Sequence, residues 1–191
     1  MSTFYVVATP IGNKEDMTER AKRILSEVDL IACEDTRVTK RLLEGYEIYT
    51  SLISYHAQSP DQKEKYICDL LGKGKNIALV SDAGTPAISD PGTRLVALIH
   101  NTAPDTEIVV VPGPSAATAL LSGAGISTQP HTFYGFLPHK KGRSTLTDEI
   151  LNSPHTSVVY ESPHRFMAFL GACSERGAGQ SVVAKMTYYF T

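Results

Sequence analysis

The chain has 191 residues, a length that suits one large domain or two small ones. Its 42% apolar content supports a buried core and excludes a disordered chain. With 18 Lys and Arg against 20 Asp and Glu, the formal charge is −2, so the chain as a whole carries no polybasic signature. Any contact with nucleic acid has to come from local clusters.

Short apolar runs alternate with longer amphipathic stretches throughout, the pattern of an α/β protein with mainly parallel sheets. Residues 3–8 read as a first strand, followed by the loop Thr9-Pro10-Ile11-Gly12-Asn13 and a helix over 16–27 capped by Asp16 or Thr18. A strand at 29–33 ends in Glu34-Asp35-Thr36-Arg37, and a helix over 36–44 closes at Gly45. A strand at 51–55 and a helix over 60–71 behind a Ser59 cap come next. The strand at 76–80 runs into the loop 81–92, where Asp82 offers a carboxylate, Gly84 lets backbone approach a ligand and Thr85-Pro86 stiffens the exit. The following helix, 90–100, is expected to take Asp90 as N-cap and Pro91 as its first residue. A strand at 107–111 leads to Pro112-Gly113-Pro114-Ser115-Ala116.

After that proline pair the pattern restarts: a helix over 115–123, a strand at 132–136, a basic turn at 139–143, a helix over 144–152, a strand at 156–160, a helix over 163–172 and a last strand at 181–185. Two α/β domains are expected, 1–113 and 114–191, with a ligand cleft between them.

Four loops, 9–13, 34–37, 81–86 and 112–116, leave strand ends on the edge where open parallel sheets bind ligands. None carries a phosphate-binding glycine pattern, so a cationic or adenosine-bearing molecule held by backbone and a carboxylate fits better than one held by its phosphates. In the second half, Tyr160-Glu161-Ser162-Pro163-His164-Arg165 places a carboxylate, an imidazole and a guanidinium at a strand-to-helix junction suited to an anion. Capping alone also explains Ser162 and Pro163, and it equally explains Asp35. His56 stands after the third strand as a switch, a base or a structural residue. Cys33, Cys68 and Cys173 are far apart and read as reduced thiols, and no metal-ligand spacing occurs. The absence of a basic leader and of a long apolar window points to a cytoplasmic protein outside the membrane.

Taken in order, the 9–13, 34–37, 81–92 and 112–116 loops, Gly135-Phe136-Leu137-Pro138 and the 160–165 segment closely resemble the ribosomal RNA small subunit methyltransferase I family of the tetrapyrrole methylase superfamily. The resemblance implies two α/β domains, S-adenosylmethionine in the cleft, a homodimer, and methylation of a cytidine ribose 2′-hydroxyl in small-subunit rRNA. It implies cofactor contacts from Pro10, Ile11, Asp82, Gly84, Thr85, Ile88, Ser115, Ala116, Leu137, Tyr160 or Glu161, and Ala184. Glu161 is the nearest candidate for the base that removes the hydroxyl proton, with Arg165 beside it. Arg165 and the turn of Lys140, Lys141 and Arg143, with Arg37 and His164, are expected to meet RNA phosphates. A tetrapyrrole or other small-molecule methyltransferase, or a non-catalytic remnant, are the competing readings. Past Ala184 the family continues into further elements, whereas this chain reads Lys185 to Thr191. The second sheet is therefore expected to lack its last elements, leaving an apolar edge over 182–190 open to dimer pairing or aggregation.

Overall fold

A computed structural model describes residues 1–176, which fall into two compact units, 1–116 and 117–176. In the first, β1 (Thr3–Val7), β2 (Leu30–Cys33), β3 (Leu52–Ser54), β4 (Ile77–Leu79) and β5 (Glu107–Val111) form one sheet in the order β3-β2-β4-β1-β5. Every pairing is parallel, so both faces need covering.

The strands meet that need by alternation. Phe4 and Val6 of β1, Ala32 of β2, and Ile77 and Leu79 of β4 point to one face, where Ile67 and Leu71 of α3 (Asp61–Gly72) and Leu95 and Ile99 of α4 (Thr93–Thr102) pack. Val7, Ile31, Cys33, Ala78 and Val80 point to the other, against Ala21, Ile24 and Leu25 of α1 (Glu19–Glu27) and Leu43 of α2 (Thr36–Glu44). Each fully buried Leu, Ile or Phe in these layers contributes about 1.5–3 kcal/mol by burial. The connections leaving the neighbouring strands β1 and β4 thus depart to opposite faces. This creates a switch-point crevice at their carboxyl ends, the place where open α/β sheets take ligands.

The second unit contains α5 (Ala116–Gly123) from its second residue onward, the parallel pair β6 (His131–Phe136) and β7 (Thr156–Tyr160), α6 (Arg143–Leu151) and α7 (Pro163–Arg176). The β6–β7 register shifts between Phe133 and Gly135, where Gly135 takes φ 66°. Leu137, Phe169 and Cys173 form its buried centre, with Leu146, Ile150 and Val159 packed around them. The expected strand at 181–185 lies outside the described residues. Among those described, no helix is long and apolar enough to cross a membrane.

Three helix starts differ from expectation. Thr18, not Asp16, caps α1 by accepting from the Ala21 N–H, while Asp16 ends a short 3-10 turn. The Ser59 hydroxyl accepts from the His56 N–H and so closes the turn before α3; Pro60 holds the cap position without a side-chain bond. At α4 the cap position belongs to Gly92 at φ 142°, again with no side-chain bond, so neither Asp90 nor Pro91 begins that helix. In Asp90-Pro91-Gly92-Thr93, proline followed by a positive-φ glycine makes a turn of its own and holds the helix off for one residue pair.

Candidate active site

The carboxyl ends of β1, β2, β4 and β5 are tied into one edge by main-chain contacts. Thr9 and Gly84 exchange backbone hydrogen bonds of 2.9 and 3.1 Å, and the Thr9 hydroxyl donates to the Ser81 carbonyl at 3.0 Å. The Thr85 hydroxyl reaches the Pro114 carbonyl at 3.1 Å, and the Asp35 N–H donates to Asp82 Oδ1 at 3.2 Å. Glycine is needed where these loops touch. A Cβ on Gly113 would stand 2.9 Å from the Ala8 side chain, and one on Gly92 2.7 Å from that of Leu79. Gly84 adopts φ 86° beside Ile11, which is itself buried. Ala87 and Ser89 also hold positive φ, 66° and 65°, on either side of the exposed Ile88.

This edge is acidic. Released from capping, Asp90 is half-buried, and its carboxyl is pushed up to about 6 by burial first and by the Glu34 charge second, with the Ser81 hydroxyl pulling the other way. Burial also raises Glu34, aided by the charge of Asp82 and opposed by His56. Asp82 is raised by burial and by Asp35, while the Asp35 N–H opposes the shift. Three carboxyls from two loops therefore share one desolvated neighbourhood in which added positive charge is favoured. Among the described residues no group of His, Cys, Asp and Glu is arranged to hold a metal ion.

Behind the edge, a polar network fixes the first turn of α4. Buried Glu64 accepts from the Tyr55 hydroxyl at 2.7 Å and from Arg94 Nε at 2.8 Å, and Arg94 also donates to the Ser59 carbonyl. Burial and the adjoining Glu64 carboxylate drive the Tyr55 hydroxyl well above its ordinary pKa. The sequence placed Glu34 in a strand-end loop without a role of its own and Asp90 as a helix cap, and the Glu64 network has no counterpart in it. Gly92 directly after Pro91 is the signal that, read as a turn, would have freed Asp90.

The other expected residues are scattered more widely. Pro10, Ile11, Asp82, Gly84, Thr85 and Ile88 lie in the knitted loops, and Ser115 and Ala116 follow β5. Asp35 caps α2 by accepting from the Arg37 N–H, and its carboxylate also pairs with the exposed Arg37 guanidinium at 2.6 Å, which holds it down to about 2. Arg37 and Lys40 border a hollow of about 410 Å³ beside the outer strand β3 together with Tyr49. In the second unit Lys140, Lys141 and His164 are exposed, whereas the Leu137 side chain is core, 2% exposed. Ala184 lies outside the described residues.

Arg143 leaves the basic turn altogether. Its Nη2 stands 2.6 Å from Glu161 Oε2 and its Nη1 donates to the Pro138 carbonyl at 3.2 Å. Arg165 approaches the same carboxylate from α7, Nη2 to Oε1 at 2.7 Å, and the Ser162 N–H donates to Oε1 at 2.8 Å. The Glu161 side chain is only 3% exposed, and its Oε2, beside Arg143 Nη2, has no hydrogen-bond partner.

The sequence pattern of the tetrapyrrole (corrin/porphyrin) methylases matches residues 3–188. The chain belongs to that family. Among solved structures, this methylase chain is similar in fold to the methyltransferase CobJ, with a TM-score of 0.66 and 17% identity over 92% of this chain and 77% of that one. The cobalt precorrin-4 methyltransferase CbiF gives 0.65 and 17%, over 92% and 75%. By sequence it is 48% identical over 164 residues to "Ribosomal RNA small subunit methyltransferase I" of Halalkalibacterium halodurans, covering 85% of this chain and 56% of that protein. The Bacillus subtilis protein of the same name is 46% identical over 92% of this chain and 60% of its own length. The chain thus spans well under two thirds of the curated relatives it matches.

Proposed function

We propose that this chain carries the S-adenosylmethionine site of a methyltransferase acting on small-subunit rRNA, with a cytidine ribose 2′-hydroxyl as the methyl acceptor. The knitted, acidic strand-end edge carries this reading, in a family member that resembles proteins named for rRNA methylation more closely than it resembles the corrin and porphyrin enzymes.

The residues fit the cofactor chemically. S-Adenosylmethionine supplies an electrophilic methyl on a sulfonium cation and also carries an ammonium group, and both complement the carboxyls of Glu34, Asp82 and Asp90. Gly84 opens the main chain for close approach, while Ile11 and Ile88 offer apolar contact and Thr85, Ser115 and Ala116 complete the wall. Bound there, the cofactor would supply a methyl carbon for in-line attack by the acceptor oxygen, with its sulfur as leaving group and the hydroxyl proton passing to solvent. Holding that line supplies much of the acceleration.

Two measurements test the proposal. Calorimetry with S-adenosylmethionine is expected to show saturable binding that Asp82→Asn weakens. Transfer of a labelled methyl group onto small ribosomal subunits from cells lacking the activity is expected to label rRNA at a cytidine ribose. Label in protein or in a tetrapyrrole, or no cofactor binding, would overturn it.

A further inference from the structure

Glu161 sits in the second unit between two guanidiniums that come from different helices, Arg143 opening α6 and Arg165 in the first turn of α7. It is almost fully enclosed, yet each arginine keeps roughly a quarter of its side chain in solvent, 22% and 25%. The remaining contacts fix the planes of both forks. Arg165 Nε donates to the Ser162 hydroxyl at 3.1 Å, and the Arg143 guanidinium lies 5.8 Å from the Phe169 ring centre. Two cations held this close repel unless a negative charge stands between them, so the carboxylate is what allows them to sit side by side. Two guanidiniums and one carboxylate leave the cluster one net positive charge, and Arg165 Nη1 is buried there without a hydrogen-bond partner.

We propose that Glu161 is a positioning residue, which clamps Arg143 and Arg165 into one two-guanidinium receptor for a single backbone phosphate of the RNA substrate. The inference rests on the proposed rRNA activity and reassigns Glu161 within it. The carboxylate acts through its two arginines and transfers no proton. Arg143 and Arg165 touch the substrate; Lys140 and Lys141 are exposed just before Arg143 in the chain and add positive charge, and His164 is exposed next to Arg165. A receptor of this kind contributes affinity and register on the RNA and reads no base.

The test uses the full chain, with small ribosomal subunits lacking the methyl group as the probe. Wild-type binding and methyl transfer are measured first, and their absence counts against the proposed function alone. Given wild-type activity, Glu161→Gln is expected to weaken binding about tenfold, with the loss appearing in KM. It should also lower the slope of log K against log salt by about one phosphate contact, while the pH profile of kcat keeps its shape. In a background carrying both Arg143→Gln and Arg165→Gln the same change should add almost nothing, because both routes of its action are already gone. A kcat that collapses with its basic limb at unchanged RNA affinity would make Glu161 the proton acceptor and overturn the inference. So would an unchanged salt slope. Should Glu161→Gln fail to fold, Arg165→Lys keeps the charge but loses the fork. Several-fold weaker RNA binding is expected from it, and undiminished binding refutes the receptor.

Discussion

Asp90→Asn gives the most direct reading of the acidic edge. The carboxyl of Asp90 rises from an ordinary 3.8 to about 6, so the folded chain holds this proton to a higher pH than the unfolded chain does. Between roughly pH 4 and pH 6 the unfolded state has released it while the folded state has not, and stability falls as pH rises through that window. Above it, the folded protein carries a carboxylate in a place that disfavours charge. About two pH units correspond to about 3 kcal/mol, and solvent screening at a half-buried group cuts this to about 1.5 kcal/mol. Asparagine keeps an oxygen for Ser81 and removes the charge. Urea unfolding followed by circular dichroism should therefore find Asp90→Asn about 1.5 kcal/mol more stable than wild type at pH 8. At pH 4 the gap should shrink to a few tenths. A gain of equal size at both pH values would assign the effect to packing, and a loss at pH 8 would refute the argument. Under the proposed function the same variant should bind S-adenosylmethionine more weakly at pH 8, since the charge that costs stability is the one facing the cation.

Gly92→Ala combines a positive-φ backbone with a methyl 2.7 Å from Leu79, and it should cost about 2 kcal/mol or more by thermal denaturation; a neutral result would mean the 81–92 loop relaxes freely. Arg94→Met removes the cation beside buried Glu64 and should lower the melting temperature at pH 7, a loss that Glu64→Gln in the same chain should largely recover. Under the proposed function, Lys140→Ala and Lys141→Ala should each weaken RNA binding uniformly across sequences and reduce the salt slope by about 1, with melting temperature unmoved.

Short, continuously apolar runs such as Ile77–Leu79, alternating with longer amphipathic stretches, made the mainly parallel sheet legible in the sequence, because a strand covered on both faces needs apolar residues at successive positions. The four loops were legible for the same reason, since parallel strands send all their exits to one edge. The role of Asp90 was not, because capping and turn formation use the same residue types, and only the φ of Gly92 separates them. Arg143 looked like part of a solvated basic run. Its inward pairing with Glu161 depends on β7 lying beside the start of α6, a contact between residues 18 positions apart that no local pattern encodes. Glu64, with Tyr55 and Arg94, was hidden likewise on an otherwise amphipathic helix.

The order of strands also governs how this sheet is built as the chain leaves the ribosome. β2 pairs early with β3, its neighbour in sequence, but β1 pairs only with β4 and β5. The first strand to be synthesised therefore waits without a partner until residues 77–79 emerge and slot between it and β2. β4 is the keystone: its arrival joins two fragments that cannot pair with each other, and with them the Thr9 and Gly84 loops. A three-residue strand thus joins the two halves of the sheet, and β5, which brings Pro114 to the Thr85 hydroxyl, completes the edge after it.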